Sequence, residues 1–202
     1  MVSTTQIRFS LKDIDAKGTS NREAEMIVIK QMKNSDIRRI AEIDRSEHVT
    51  LSYKYKDGKL ETQEVDWHVP RWSTDSSHEF SVEARTKRWT PILEKGGVML
   101  GAFDRDLLVG FAILRYKLTE SMAELAALYV SKDYRRQGIA EKLTTETSRL
   151  AKEGGARELY VSATPSQSAV GFYKSQGFRL AEKVNKELYE LEPEDIHMMK
   201  IL

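Results

Sequence analysis

Residues 98–130 carry three apolar, strand-like runs with almost no chain between them, and that crowding most constrains the fold. "VMLGAFD" and "LLVGFAILRY" are joined across Arg105-Asp106 alone. A connection this tight makes them antiparallel, because parallel neighbours need a crossover of a dozen residues or more. "MAELAALYV" (122–130) is the third run. It leads into "YVSKDYRRQGIAEKLTTETSRLAKEGG" (129–155), which leaves a β-like end, crosses a short basic loop and enters a helical pattern. Ile139, Leu143, Leu150 and Ala151 share one face of that helix, and Gly154-Gly155 closes it.

The elements on either side can be read in the same way. Residues 1–25 are polar and mixed, a loosely attached extension with a short strand at Ile7 to Leu11. "MIVIKQM" (26–32) reads as a strand. Asn34, Ser35 and Asp36 offer N-cap side chains to a helix carrying Ile37, Ile40, Ala41 and Ile43. Val49, Leu51, Tyr53 and Tyr55 alternate before Asp57-Gly58, whose tolerance of positive φ predicts a hairpin over about 49–67. Glu79 to Lys95 is helical, with Pro91 able to bend it. "RELYVSA" is a further strand, and "TPSQSAVGFYKSQGF" a short helix. For that helix Thr164, Pro165 and Gln167 predict the start, and Gly177-Phe178 a left-handed C-cap with its apolar contact. Residues 184–192 fit helix or loop, and "DIHMMKIL" a final strand. The expected class is mixed α/β in one domain, over 26–202.

Composition excludes several functions. Lys and Arg number 32 against 31 Asp and Glu, a net charge of +1, where a dedicated nucleic-acid binder would show a basic excess. The absence of cysteine removes disulfides, thiolate metal sites and an acyl-cysteine mechanism. His48, His68, His78 and His197 show no ligand-like helical spacing, so no metal is expected. No apolar run approaches transmembrane length and the N-terminus lacks a signal-peptide core, so a soluble cytoplasmic protein without membrane contact is expected.

The basic loop carries the chemistry. A helix N-terminus presents unpaired N–H donors and about half a positive charge. A glycine there lets a ligand approach the backbone, and Arg135 and Arg136 add charge. The arrangement suits a diphosphate. It lacks the Gly-Lys-Ser/Thr of a triphosphate loop, and Gly138 stands alone where a dinucleotide fingerprint needs three spaced glycines. By itself the loop also reads as a capped turn with solvated arginines.

A second segment changes that balance. "LYVSKDYRRQGIAEKL" resembles the diphosphate segment of the GNAT superfamily of coenzyme A-dependent N-acyltransferases, with Arg135, Gly138 and Ala140 in the patterned places. "SQSAVGFYKSQGF" is similar to the family's next segment, matched by Ala169, Phe172, Tyr173, Gly177 and Phe178, with Ser166 where Asn is common. The resemblance spans Met26 to Leu202, the extension and the hairpin being departures. It implies one GNAT-like domain whose mixed, mostly antiparallel sheet has helices on both faces. Its fourth and fifth main strands ("MAELAALYV" and "RELYVSA") would splay around the pantetheine of acetyl-coenzyme A, the cosubstrate.

On that resemblance, main-chain groups near Leu128 and Val130 meet the pantetheine. The loop from Arg135 and Arg136 through Gln137, Gly138, Ile139 and Ala140 holds the diphosphate. Ser166, Ala169 and Phe172 complete the cofactor side. Direct transfer to an amine also needs a base and an acid. Tyr173 is the candidate acid, a core tyrosine the alternative. Glu124, the carboxylate within the fourth strand, is the candidate base, an ion-paired strand-edge glutamate the alternative. Glu64, Asp66, Trp67 and Trp72 are candidate acceptor walls for a cationic amine, with Asp44 and Arg45 the fallback. The acceptor expected is a small-molecule amine or a flexible peptide amine, with no nucleic acid. A homodimer stays open, and so does a non-catalytic coenzyme A-binding domain.

Overall fold

The β5–β6–β7 meander at the centre follows from the short connections described above: β5 (Val98–Asp104), β6 (Leu107–Arg115) and β7 (Met122–Val130) pair antiparallel in sequence order. The computed structural model describes residues 6–10 and 26–202. Around the meander lie β1 (Ile7–Ser10), β2 (Met26–Gln31), β8 (Glu158–Ala163), β9 (Arg179–Leu180) and β10 (Ile196–Ile201). They form one sheet of order β1-β2-β5-β6-β7-β8-β10-β9. Every pairing is antiparallel except β7 with β8. Part of the polar extension is therefore an edge strand of the sheet; Leu11, expected to end it, lies outside the described residues.

Strand alternation sorts the core into two layers. Along β6, Ala112 and Leu114 join Ile139, Leu143 and Ala151 of α2 (Ile139–Glu153). Phe111 and Ile113 point the other way, to Trp89 and Leu93 of α1 (Val82–Glu94) and to Ile37 and Ile40. Helices thus cover both faces, as expected. The element holding Ile37 and Ile40 is a 3₁₀ helix, Asn34–Glu42, and Lys33 is its N-cap without a side-chain bond, so the capping expected of Asn34, Ser35 and Asp36 does not form. The hairpin pairs β3 (Glu47–Lys56) with β4 (Lys59–Val69), and Asp57 and Gly58 have φ of 48° and 81° at its turn.

α3 (Gln167–Ser175) starts two residues later than the Thr164 expectation: Ser166 is its N-cap, accepting from the Ala169 N–H at 3.2 Å. Its end matches. Gly177 has φ 83°, its N–H donates to Lys174, the Phe178 N–H donates to Tyr173, and the Phe178 ring lies 5.3 Å from that of Tyr173. Those two bonds and that contact make a Schellman cap. The ambiguous 184–192 segment contains a short helix, α4 (Lys186–Leu191), capped by Asn185.

Candidate active site

The feature that makes a site is a failure of pairing. β7 and β8 are in register only at Met122–Glu124 against Glu158–Tyr160. Beyond that point β7 has an irregularity opposite Ile113 and Leu114: Ile113 pairs with Ala127 but Leu114 with Leu125, leaving Ala126 over. A bulge of this kind bends its strand, and the two strands diverge. The Ser131 N–H donates to Val109 on β6 at 2.8 Å. Alternation along β7 then turns the main-chain groups of Leu128 and Val130 away from β6, toward the gap. The Val130 carbonyl already accepts Arg135 Nε at 3.1 Å, so Leu128 retains the freer main-chain edge.

At the head of the gap, the loop bends through two left-handed residues, Arg136 at φ 61° and Gly138 at φ 82°. A Cβ built on Gly138 meets nothing within 4 Å, so open space, and not packing, surrounds it. The first α2 bond runs from Lys142 N–H to the Gly138 carbonyl. Among the described residues, no protein acceptor takes the N–H groups from Arg136 to Glu141. Consecutive amides around left-handed turns form an anion-binding nest. Ile139 anchors α2 in the core and Ala140 is half-buried beside it. Arg136 is exposed, while the Gln137 side chain is tied to the Asp133 carbonyl at 2.9 Å. Arg135 also approaches Glu47 at 3.8 Å, and Glu47 accepts from Ser168 at 2.6 Å, so one hairpin residue joins the loop to the start of α3. Ser166 is buried with its hydroxyl engaged as the α3 cap; Ala169 and Phe172 are half-buried behind it.

Glu124 and Tyr173 are both buried, at 5% and 7% exposure. Glu124 lies opposite Arg115 on β6 and Tyr160 on β8. Arg115 stands 3.4 Å from its carboxylate but is mainly committed to Glu187, at 2.7 and 3.0 Å. Burial pushes the Glu124 carboxyl up to about 7, Arg115 and Arg88 pulling it only partly back. Burial likewise raises the Tyr173 phenol, with Tyr129 and Asp195 adding to the effect, so the phenol stays protonated.

Apart from Arg45, named with Asp44 as the fallback acceptor region, sequence reasoning missed the groups around these two. Asp195, before β10, is pushed up to about 7 by burial and by Glu192, against Arg88 and Arg85. Arg88 pairs with Glu192 at 2.7 Å. Tyr129 stacks on Phe111 with centroids 5.3 Å apart, and its phenol is raised by burial. Arg45 and Arg85 are buried and both stand over the Phe80 ring, at 4.4 and 4.3 Å. A signal was present in α1: Arg85 shares a helical stripe with buried Trp89 and Leu93, where a charge is out of place unless a site uses it.

The expected acceptor cluster does not assemble. Glu64, Asp66 and Trp67 are exposed on the hairpin. Only Trp72 reaches the site, 5.3 Å from the Tyr129 ring and beneath Arg45. The buried Arg45 and Arg85 also add basic groups where acidic and aromatic walls were expected. The histidines, by contrast, are less scattered than their spacing implied: His48 and His68 face one another across the hairpin with Asp66 beside them.

Residues 63–200 match the family described as Acetyltransferase (GNAT) domain. The chain belongs to the GNAT acetyltransferase family. Within it, the chain is 26% identical over 125 residues to N-alpha-acetyltransferase 50 of Danio rerio, covering 60% of this chain and 74% of that protein. It is 34% identical over 89 residues to spermidine N(1)-acetyltransferase of Thermoplasma acidophilum, covering 42% of this chain and 52% of that one. The crystal structure of nourseothricin acetyltransferase superposes with a TM-score of 0.65 at 17% identity, over 87% of this chain and 98% of the other. A putative streptothricin acetyltransferase from Bacillus anthracis, in complex with acetyl coenzyme A, gives 0.65 at 18% identity, over 87% and 98%. At these identities the structural matches establish the fold: one GNAT-like α/β domain. The family and its N-acetyltransferase relatives make the chain an acyltransferase of the acetyl-coenzyme A-dependent class.

Proposed function

We propose that this protein moves an acetyl group from acetyl-coenzyme A directly to a primary amine within a ternary complex. The observation that carries the reading is the divergence of β7 from β8 after Glu124, with unpaired loop amides at one end and buried Glu124 and Tyr173 beside it. The amides from Arg136 to Ala140 hold the diphosphate, and Arg135 braces the loop through Val130. The Leu128 main chain receives the pantetheine as an added strand, and Ala169 and Phe172 flank it. Ser166 acts by capping α3, which holds Tyr173 in place.

The chemistry then follows from two displaced titrations. The carboxylate of Glu124, basic for a carboxyl, takes the proton that an alkylammonium must lose before it can attack. The amine nitrogen adds to the thioester carbon, a main-chain N–H near the bulge stabilises the oxyanion, and the carbon–sulfur bond breaks. Tyr173 gives its proton to the leaving thiolate, and its phenolate takes back the second proton that the acylated nitrogen must lose to become the amide. The amine sits among Glu124, Asp195 and Glu192, with the Trp72 and Tyr129 rings behind it. Its approach as a cation is favoured by both carboxylates and rings. A small-molecule amine or the end of a flexible peptide fits this half-buried setting, and a cytoplasmic setting would supply both substrates.

The test is release of free thiol from acetyl-coenzyme A across an amine library. Amine-dependent release with formation of the acetylated amine supports the proposal. Cofactor binding without release for any amine would leave a coenzyme A-binding domain and refute it.

A further inference from the structure

The strongest arrangement outside the cleft is on the outer face of the hairpin. His48 of β3 pairs directly with His68 of β4. Their rings are stacked, with centroids 4.4 Å apart and planes within 4°. Asp66 precedes His68 by two residues, so alternation puts it on the same face. The ladder is irregular there, Val49 pairing with Trp67 but Leu51 with Glu64, which bends β4 locally. The result is that Nε2 of both imidazoles converges on one carboxylate oxygen, Asp66 Oδ1, at 2.7 Å from His48 and 3.4 Å from His68. All three donors are exposed, and their ligand atoms lie within 4.8 Å of one another.

We propose that His48, His68 and Asp66 form a binding site for a divalent transition metal, with Zn2+ the best-suited ion. Two imidazole nitrogens and one carboxylate select such ions over Mg2+ and Ca2+, which favour all-oxygen shells. A tetrahedral Zn2+ with bonds of about 2.0–2.1 Å needs its ligand atoms about 3.3–3.5 Å apart. Exposed side chains already within 4.8 Å reach that spacing by small torsions. Solvent supplies the remaining coordination.

The two stacked imidazoles share one carboxylate oxygen. They shield no core, and neither is buried. The site would clip β3 to β4 beside Glu47, the residue linked to Arg135 and Ser168, and so hold the strand that borders the loop. It uses none of the residues placed in acetyl transfer, and it stands or falls separately from that reading.

The experiment is calorimetric titration of chelator-treated protein with Zn2+ at pH 7.5, with no coenzyme A present. The expected result is saturable binding of one equivalent and a rise in melting temperature that saturates with it. His48→Ala and His68→Ala should each weaken the affinity at least tenfold and abolish the thermal shift, while His78→Ala changes neither. Asp66→Asn should give an intermediate loss. Binding should fade by pH 5, as protons displace the metal from both imidazoles. Absence of saturable binding, or binding retained in both His48→Ala and His68→Ala, would overturn the proposal. Because these side chains are exposed, circular dichroism melts of the metal-free variants should match wild type, so a lost site cannot be mistaken for lost folding.

Discussion

Replacing Glu124 with glutamine keeps the shape of the side chain and removes its titration. In the native protein the carboxyl is held up to about 7, from an ordinary value of 4.5, chiefly by burial. Between those two values the native state holds a proton that the unfolded chain has released. Stability contributed by this group is therefore present at acid pH and is lost as the pH rises through about 7. At about 1.4 kcal/mol per pH unit, the cost of ionising Glu124 in place comes to roughly 3 kcal/mol at alkaline pH. For a chain of this size that corresponds to about 6–12 °C in melting temperature. Wild type and Glu124→Gln should melt together near pH 4.5, separate progressively as the pH rises to about 7, and stay a constant distance apart above it, the variant being the more stable. Asp195 titrates in the same window in both proteins, so the difference between the two curves is the quantity to read. The assay is thermal denaturation by circular dichroism from pH 4.5 to 8.5, paired with thiol release over the same range. Wild-type kcat/KM should fall below about pH 7 as the base is protonated, and Glu124→Gln should lose roughly a hundred- to ten-thousandfold in turnover. Melting curves that stay parallel across the whole range would falsify the placement of Glu124 as a buried carboxyl poised near neutrality.

Three further outcomes test other parts of the site. Gly138→Asp forces a side chain onto a φ of 82° and sets a carboxylate among the unpaired amides, so acetyl-coenzyme A should no longer raise the melting temperature; an undiminished shift sinks the loop assignment. Tyr173→Phe should cut turnover by roughly a hundred- to ten-thousandfold with cofactor affinity little changed, and normal turnover would make it a core residue only. Trp72→Ala should raise KM for the amine while Trp67→Ala, 38% exposed on the hairpin, should not; the reverse order would move the acceptor to the hairpin.

Most local elements of this protein were settled by its sequence. Three crowded apolar runs allow only an antiparallel meander, and Gly177-Phe178 allows only a left-handed helix end, because these depend on neighbours in the chain. The strand-to-helix loop was legible for the same reason, since Arg135, Gly138 and the start of α2 are contiguous, but its reading as a candidate diphosphate site came from the family resemblance. Glu124 could be named from its place in β7 and Tyr173 from the family resemblance of its segment, but what surrounds them could not. Arg88 and Glu192 are 104 positions apart along the chain and meet only when α1 and the α4–β10 turn fold against the same sheet face. Burial that lifts Glu124 and Asp195 toward neutrality is a property of that packing, since no composition reports how much water a side chain has lost. His48 and His68, which helical spacing treated as unrelated, became partners through β-register, where contact depends on the turn and on which residues face one another across the ladder. The chain encodes each strand and helix locally. Which charges are desolvated, and beside what, is decided by long-range packing.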